Sequence, residues 1–216
     1  MDKKEVIIIG GGASIEEGIK TDLWEKIRGK EVWSLNFAFR AMPYLPTREL
    51  WVDTTFYRNN IADLERIHKL GVACHTRKND RYNGIPDIIQ HETTRNIQEK
   101  DKKIYLCPMG LCGMFALGVA VQEKYEQIYL LGYDFGTNSL GNTHTHFYQD
   151  TKMDYQSSGV GRPSVYLQSN NHPKRDANEF GLYAERGGIW NVSVNSHIIA
   201  YPRISYEEFY GKTSQT

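Results

Sequence analysis

Short apolar runs alternate along the chain with segments whose apolar residues recur every three or four positions. The first pattern predicts buried strands, and the second predicts helices that bury one face. The predicted strands are Glu5 to Ile9, Glu31 to Leu35, Leu50 to Asp53, Gly71 to Cys74, Ile104 to Cys107 and Gln127 to Gly132. The clearest predicted helices are Asn59 to Leu70 and Gly113 to Tyr125. This βαβ rhythm predicts one α/β domain over residues 1–216, with a mostly parallel sheet flanked by helices.

Between residues 136 and 174 the composition turns polar and becomes rich in Asn, Ser, Gly, His and Tyr. The segment keeps aromatic residues such as Phe147 and Tyr155, which a disordered tract would have in smaller number. Long segments of this kind inside a compact domain are usually lids or binding loops. We therefore expect residues 136–174 to form a lid, followed by a helix near Asp176 to Arg186 and a strand from Ile189 to Val194.

The run from Val6 to Glu16 reads VIIIGGGASIE, which is a β-branched strand, three glycines, a serine and a predicted helix start. Such a turn leaves unpaired backbone N–H groups that point at one small volume and attract phosphate. Gly10, Gly11 and Gly12 permit close backbone approach, and the Ser14 hydroxyl caps the helix or contacts a phosphate oxygen. This pattern predicts a bound nucleotide or phosphorylated ligand. The alternative is a turn whose glycines serve tight packing only.

Two familiar nucleotide-binding motifs do not fit this loop. A P-loop requires Gly-Lys-Ser/Thr after a four-residue gap, and no such lysine follows Gly10 or Gly12. The dinucleotide fingerprint requires a third glycine where Ile15 stands and an acid where Leu35 and Asn36 stand, so we do not expect NAD. The amide of Asn36 either hydrogen-bonds a ribose hydroxyl or a base edge, or belongs to an ordinary turn.

Ligands of open parallel sheets bind outside the carboxyl ends of the strands. Besides the glycine loop and the second strand, these ends include Cys112, Gly113, Asp53 and Asp134. Asp53 follows a predicted strand and binds a ribose hydroxyl, coordinates Mg²⁺, activates an acceptor or caps the next turn. Asp134, in LLGYDFG, is similarly placed. The two acids hold a metal only if the fold brings them together.

Histidines in the polar segment form a second candidate cluster. His144 and His146, in GNTHTHFYQD, alternate as on an extended strand, which places both imidazoles on one face. With Asp134 or Asp150 they form a metal arrangement, although polar loops also carry solvated histidines, so no metal is assigned. His172 precedes a predicted helix, where it is either a general base on a mobile loop or an exposed loop histidine.

Composition narrows the choice of partners and compartment. The 26 basic and 26 acidic side chains give no net charge, so we do not expect a nucleic-acid partner. Three cysteines in or beside apolar runs indicate reduced thiols and favour the cytoplasm. No signal peptide is visible, and Pro108 and glycines interrupt the apolar stretch from Ile104 to Val121, so we expect no membrane span. The 14 tyrosines and 4 tryptophans furnish stacking surfaces or a homo-oligomer interface.

In their order and spacing, these motifs resemble the bacterial sialyltransferases that modify lipo-oligosaccharide. The wider group includes motility accessory glycosyltransferases and archaeal 6-hydroxymethylpterin pyrophosphokinase-like proteins. The likeness runs from Val6 to about Val194 and consists of VIIIGGGASI, VWSLNFAF, the third strand that ends at Asp53, GLCGMFALGVAV, IYLLGYDF and the late His172. It implies a Rossmann-like fold of the GT-A type with a lid.

The resemblance also implies an activity. A glycosyltransferase of this group transfers a sugar from a nucleotide-activated donor, usually linked to a cytidine nucleotide, to a hydroxyl acceptor. Carried over to this chain, the resemblance places Gly10, Gly12, Ser14 and Asn36 on the nucleotide. It makes His172 the base that deprotonates the acceptor, while the leaving phosphate moves into the glycine loop.

Three positions depart from the sialyltransferase pattern. Asp53 stands where those enzymes have Asn, Cys112 where they have Ser, and Met109 where they have Arg. Loss of the arginine argues against sialic acid, because the carboxylate of that sugar needs a partner. Asp53 is more typical of the pterin-related proteins, so one alternative is a Mg²⁺-dependent pyrophosphokinase or phosphotransferase with Asp53 and Asp134 on the metal. The other is a non-catalytic nucleotide-binding module.

Overall fold

The computed structural model describes residues 4–107, 110–135, 147 and 179–214. Its strands are β1 (Glu5–Ile9), β2 (Val32–Leu35), β3 (Arg48–Trp51), β4 (Ala73–Arg77), β5 (Ile89–His91), β6 (Thr93–Thr94), β7 (Ile104–Tyr105), β8 (Gln127–Leu131) and β9 (Ile189–Val192). Its helices are α1 (Ile15–Ile19), α2 (Leu23–Lys26), α3 (Ala38–Ala41), α4 (Thr54–Lys69), α5 (Cys112–Gln122) and α6 (Tyr206–Thr213), with 3-10 helices at Ile97–Glu99 and Phe180–Arg186.

The main sheet is parallel and has the order β5-β4-β3-β2-β1-β8-β9. The chain builds this sheet outward from β1 to β5, then returns to the other side of β1 with β8 and β9. Ile9, the last residue of β1, pairs with Ser34 on one side and Leu131 on the other. The strand order therefore reverses between β1 and β8, which is the switch point where ligands of open α/β sheets bind. The predicted α/β, Rossmann-like fold is confirmed.

Alternation along β1 separates two hydrophobic cores. Ile7 and Ile9 face the core that contains buried residues of α4 and α6. Val6 and Ile8 face the core formed with α5, whose residues 114–120 are all buried. Burying one large apolar side chain stabilises the fold by about 1.5–3 kcal/mol, so helices on both faces fix the central strands.

Several predicted elements differ from the structure in their bounds or type, among them the helix expected near Asp176 to Arg186, which is a 3-10 helix at Phe180–Arg186. Two differences bear most on the architecture. Helix α4 begins at Thr54 rather than Asn59, because Asp53 caps it and its first turn buries Phe56 and Tyr57. The run that begins at Ile104 does not join the main sheet but pairs with β6 in a two-stranded sheet. The edge strand β5 takes the outer place instead, and it escaped prediction because IQH is short and mostly polar.

The long apolar stretch from residue 104 to 121 contains β7 and most of the buried helix α5, as its interruptions predict. Within the described residues, we find no helix with both the length and the apolar character that crossing a membrane requires.

Candidate functional site

The loops after β1 and β8 lie side by side at the switch point and form one wall of the candidate site. Gly10 N donates a hydrogen bond to Leu131 O, and Gly12 N donates to Gly132 O, each at 2.8 Å. A Cβ added at Gly12 would lie 2.5 Å from Asp134 Oδ2 and 2.6 Å from Gly132 O. Glycine is needed at this position because the β8 loop packs directly against its Cα.

The carboxylate of Asp134 accepts a hydrogen bond from the first main-chain amide of the α1 start. Ser14 N donates to Asp134 Oδ2 at 2.8 Å. The loop amides of Gly10, Gly12 and Ser14 therefore bond within the protein, which corrects the expectation that the loop presents unpaired amides to a phosphate. A phosphate placed here would meet the negative charge of Asp134.

Several polar atoms around this loop are buried and have no hydrogen-bond partner within the described part of the chain. They are Ser14 Oγ, Asp134 Oδ1 and Tyr206 Oη. Burial, and then the charge of Asp134, raises the pKa of Tyr206 well above its usual value, so the phenol stays protonated as a donor. Buried polar groups are normally satisfied, so these atoms suit a bound water or a hydroxyl group.

Asn36 and the start of α5 meet beside this wall. Asn36 N donates to Leu50 O at 3.1 Å, and Cys112 Sγ donates to the same oxygen at 3.3 Å. Asn36 has a φ of 53°, in the left-handed region that asparagine tolerates better than most residues. Its Oδ1 is buried without a partner among the described residues. The fold therefore brings Asn36, Cys112 and the neighbouring Gly113 together.

The Cys112 thiol is not prepared for nucleophilic chemistry. Burial raises its pKa well above the usual value, and the charges of Glu49 and Asp53 add to that rise. A thiol in its neutral form is a weak nucleophile. Helix α5 has eleven residues and begins at Cys112 without a side-chain cap. Cys112 and Gly113 therefore form an uncapped helix start at the same edge of the sheet.

Asp53 has a structural task. Its Oδ1 accepts hydrogen bonds from Thr55 N at 2.6 Å and Phe56 N at 3.2 Å, which makes it the N-cap of α4. The residue is exposed at the end of β3. Strands β3 and β8 are three strand spacings apart, about 14 Å, so Asp53 and Asp134 do not share a metal ion. Among the described residues, no cluster of His, Cys, Asp or Glu is suited to a metal.

Comparisons with solved structures bear on this arrangement. The chain shares its fold with glycosyltransferases. It aligns with the MAf glycosyltransferase from Magnetospirillum magneticum AMB-1 at 14% identity and a TM-score of 0.56, over 94% of this chain and 34% of the other. It aligns with the sialyltransferase CST-II, crystallised with a trisaccharide acceptor and CMP, at 16% identity and a TM-score of 0.51, over 98% of this chain and 99% of the other.

At these identities the likeness establishes the fold, and the chain spans about a third of the MAf protein. No protein-family model matches the sequence, and no curated protein matches it. The resemblance to sialyltransferases and motility accessory glycosyltransferases is confirmed at the level of fold. The pterin-related part of that resemblance and the GT-A type stay predictions.

Several predicted site residues lie outside the described residues. They are His144, His146, Asp150, His172 and Met109. Of the expected lid, residues 136–174, the structure describes Phe147. Its amide donates to Gly11 O at 3.0 Å, and its ring lies 6.5 Å from that of Trp24. This residue of the predicted lid therefore contacts the glycine loop.

A surface depression of about 480 Å³ lies where β4 and β5 end. Its lining residues are Lys78, Asn79, Asp80, Tyr82, Asn83, Gln90 and Glu92. Strands β4 and β1 are three strand spacings apart in the sheet, so this depression is remote from the switch point. It contains none of the residues that the sequence singles out.

Sequence reasoning missed a buried polar pair next to the site. Glu49 and Ser34 are fully buried on neighbouring strands, and the Ser34 hydroxyl donates to the Glu49 carboxyl. The available signal was weak, because Glu49 directly precedes the predicted strand from Leu50 to Asp53 and Glu is almost never buried unless it has a partner.

Proposed function

We propose that this chain is a glycosyltransferase that moves a sugar from a CMP-linked donor to a hydroxyl acceptor. The observation that carries the proposal is the fold likeness along 98% of the chain to a sialyltransferase crystallised with CMP and a trisaccharide acceptor. The likeness to a second glycosyltransferase supports it. The polar residues at the switch point supply a site of suitable chemistry.

We assign the parts of the donor to two walls of the site. The first wall is formed by the loops after β1 and β8, and the second is the start of α5. Asp134 disfavours phosphate at the glycine loop, so we assign that loop to sugar hydroxyls, which donate to the unpartnered Asp134 Oδ1. We assign the phosphate to the start of α5, at Cys112 and Gly113, where uncapped helix amides stabilise negative charge. Asn36 lies between these walls and contacts the ribose or the base.

In this proposal, His172 takes the proton from the acceptor hydroxyl while the bond between the sugar and the donor phosphate breaks. The helix dipole of α5 favours the negative charge that develops on the leaving nucleotide. The segment 136–174 excludes water, so that the acceptor rather than water attacks the sugar.

The Mg²⁺-dependent pyrophosphokinase alternative finds no favourable observation. It requires Asp53 and Asp134 on one metal, and these residues end strands that are separated by two others in the sheet. Asp53 also has its Oδ1 engaged in capping α4.

The test is a transfer assay with CMP-linked, UDP-linked and GDP-linked sugars, in a chelator, with mixed glycan acceptors. We expect CMP release with formation of a glycoside in the wild-type protein, and at least about a hundredfold loss in a His172→Ala variant that still binds CMP. His68→Gln, on α4, is the matched control and should retain activity. Tight CMP binding without consumption of any donor would instead support a binding module.

A further inference from the structure

A glutamate lies inside the sheet at the edge that carries the proposed nucleotide site. Glu49, on β3, has no exposed surface, and it pairs in register with Ser34 of β2. Ser34 Oγ donates a hydrogen bond to Glu49 Oε2. Glu49 Oε1 is buried and has no hydrogen-bond partner among the described residues. A half-satisfied carboxyl in a sheet interior is destabilising, so its presence calls for a function.

The Glu49 carboxyl lies against the turn that presents Asn36. The main-chain amide of Asn36 donates to the carbonyl of Leu50, the residue after Glu49, at 3.1 Å. Ser34, which bonds to the carboxyl, precedes Asn36 by two residues. The left-handed φ of 53° at Asn36 requires support from its surroundings. Ser34 and Glu49 therefore form a buried polar pair next to the turn between β2 and α3.

Protonation changes what this group can do. Burial raises the pKa of Glu49 well above its usual value, and the Ser34 hydroxyl, the Asn36 amide and the charge of Arg40 oppose that rise only in part. The neutral acid has an O–H donor in addition to its acceptors, whereas the ionised form has only acceptors. An ionised carboxylate with one unsatisfied oxygen disfavours the compact arrangement around it.

The other titratable groups that face Glu49 keep their charge state near neutral pH. Arg40, on α3, is a guanidinium paired with Asp63. Burial raises the pKa of Cys74, on β4, to about 12, and it raises that of Cys112, on α5, well above the usual value. Glu49 is thus the group in this cluster whose charge changes.

We propose that Glu49 is a positioning residue that fixes the turn between β2 and α3, so that Asn36 meets the nucleotide in a defined orientation. The statement about the nucleotide rests on the proposed function, whereas the statement about the turn does not. When Glu49 loses its proton, the turn shifts and nucleotide binding weakens.

The experiment has two readouts, of which the first needs no ligand. The backbone amide resonance of Asn36 is followed by NMR in the free protein between about pH 5 and pH 9. We expect it to titrate in the wild-type protein and to stay constant in Glu49→Gln, which keeps the shape and cannot ionise. Glu31→Gln is the matched control, at the opposite edge of the sheet, and should titrate like the wild type.

The second readout is the affinity for CMP over the same pH range. We expect Glu49→Gln and wild type to bind alike at the acidic end, and the variant to bind at least about tenfold more tightly at the alkaline end. At each pH the affinity of Glu49→Gln is divided by that of the wild type. This ratio cancels the effect of titrating the CMP phosphate, because that effect is the same for both proteins. Glu49→Leu, which lacks any polar head, should bind CMP at least about tenfold more weakly at all pH values.

An Asn36 resonance that does not move with pH in the wild type, or a titration unchanged in Glu49→Gln, would overturn the positioning role. So would a ratio of affinities that is independent of pH. If no form binds CMP while the Asn36 resonance titrates as expected, the proposed function fails and the role of Glu49 in the turn stands.

Discussion

Asp134 decides what chemistry the glycine loop can perform. Its carboxylate takes the amide of Ser14 that a phosphate would need, and Gly12 leaves room for that contact. The strand and glycine pattern alone predicts a phosphate-binding loop here. The sequence does not reveal that a carboxylate 120 residues away accepts the hydrogen bond from the Ser14 amide. The glycines therefore serve close packing between the β1 and β8 loops.

Replacing Asp134 by Asn should change the preference for phosphate. The amide oxygen of Asn keeps an acceptor for Ser14 N, while the negative charge is removed. We expect Asp134→Asn to bind CTP at least about threefold more tightly relative to CMP than the wild type does. Titration calorimetry in a chelator measures both affinities. Asp22→Asn, an exposed position at the start of α2, is the control, and an unchanged CTP to CMP ratio in Asp134→Asn would count against this role.

At the scale of elements, helix α4 shows why an acid that follows a strand needs a structural explanation first. Its first turn depends on the two hydrogen bonds that Asp53 accepts. Asp53→Ala should lower the free energy of unfolding by about 1 kcal/mol, whereas Asp53→Asn, which also caps, should change it by less than about 0.5 kcal/mol. Urea denaturation measures both. Equal destabilisation by the two variants would show that charge rather than capping matters.

Strand β4 and the edge strand β5 share a pair of imidazoles that makes the fold sensitive to acid. His75 Nδ1 and His91 Nε2 are 2.9 Å apart, and His75 Nε2 is buried without a partner in the described residues. Burial lowers the pKa of His75 to about 3, with smaller contributions from the charges of Arg48 and His91. The folded protein keeps His75 neutral, and the unfolded chain takes up a proton below its ordinary pKa of 6.5.

The folded state should therefore lose stability as the pH falls from about 6.5 toward about 3, by up to about 1.4 kcal/mol for each pH unit. His75→Phe removes this proton uptake. We expect the urea midpoint of the variant to fall less between pH 7 and pH 5 than that of the wild type. His68→Phe, on α4, is the matched control. Equal pH dependence in His75→Phe and wild type would contradict the assignment.

Element prediction from the sequence succeeded where one pattern dominated. Strand β1 is recognisable because its continuous apolar run requires burial. Helix α5 is recognisable because apolar residues cover most of its surface and also require burial. The pairing of β7 with β6 could not be read from the sequence, because strand partners depend on the path of the whole chain. Asn36 could be singled out from its strand end, whereas Glu49 acts from inside a strand.

On the scale of the whole molecule, the order of the strands turns scattered motifs into one site. The site residues come from four stretches of the sequence, namely Gly10 to Ser14, Asn36, Cys112 and Asp134. The reversal of strand order between β1 and β8 brings them to one edge of the sheet. The same order keeps Asp53 apart from Asp134. The proposed transfer from a nucleotide-linked sugar therefore requires no metal bound between these two acids.

The most direct test is a calorimetric titration of CMP, UDP, GDP and CTP, each in a chelator, against wild type and Asn36→Gly. Glycine accepts the positive φ of this position, so the variant removes the amide without straining the turn. Asn83→Gly, in an exposed loop, is the control. We predict selective CMP binding that Asn36→Gly weakens about tenfold or more and Asn83→Gly leaves unchanged. Absence of CMP binding, or equal binding by wild type and Asn36→Gly, would contradict a nucleotide site at this edge of the sheet.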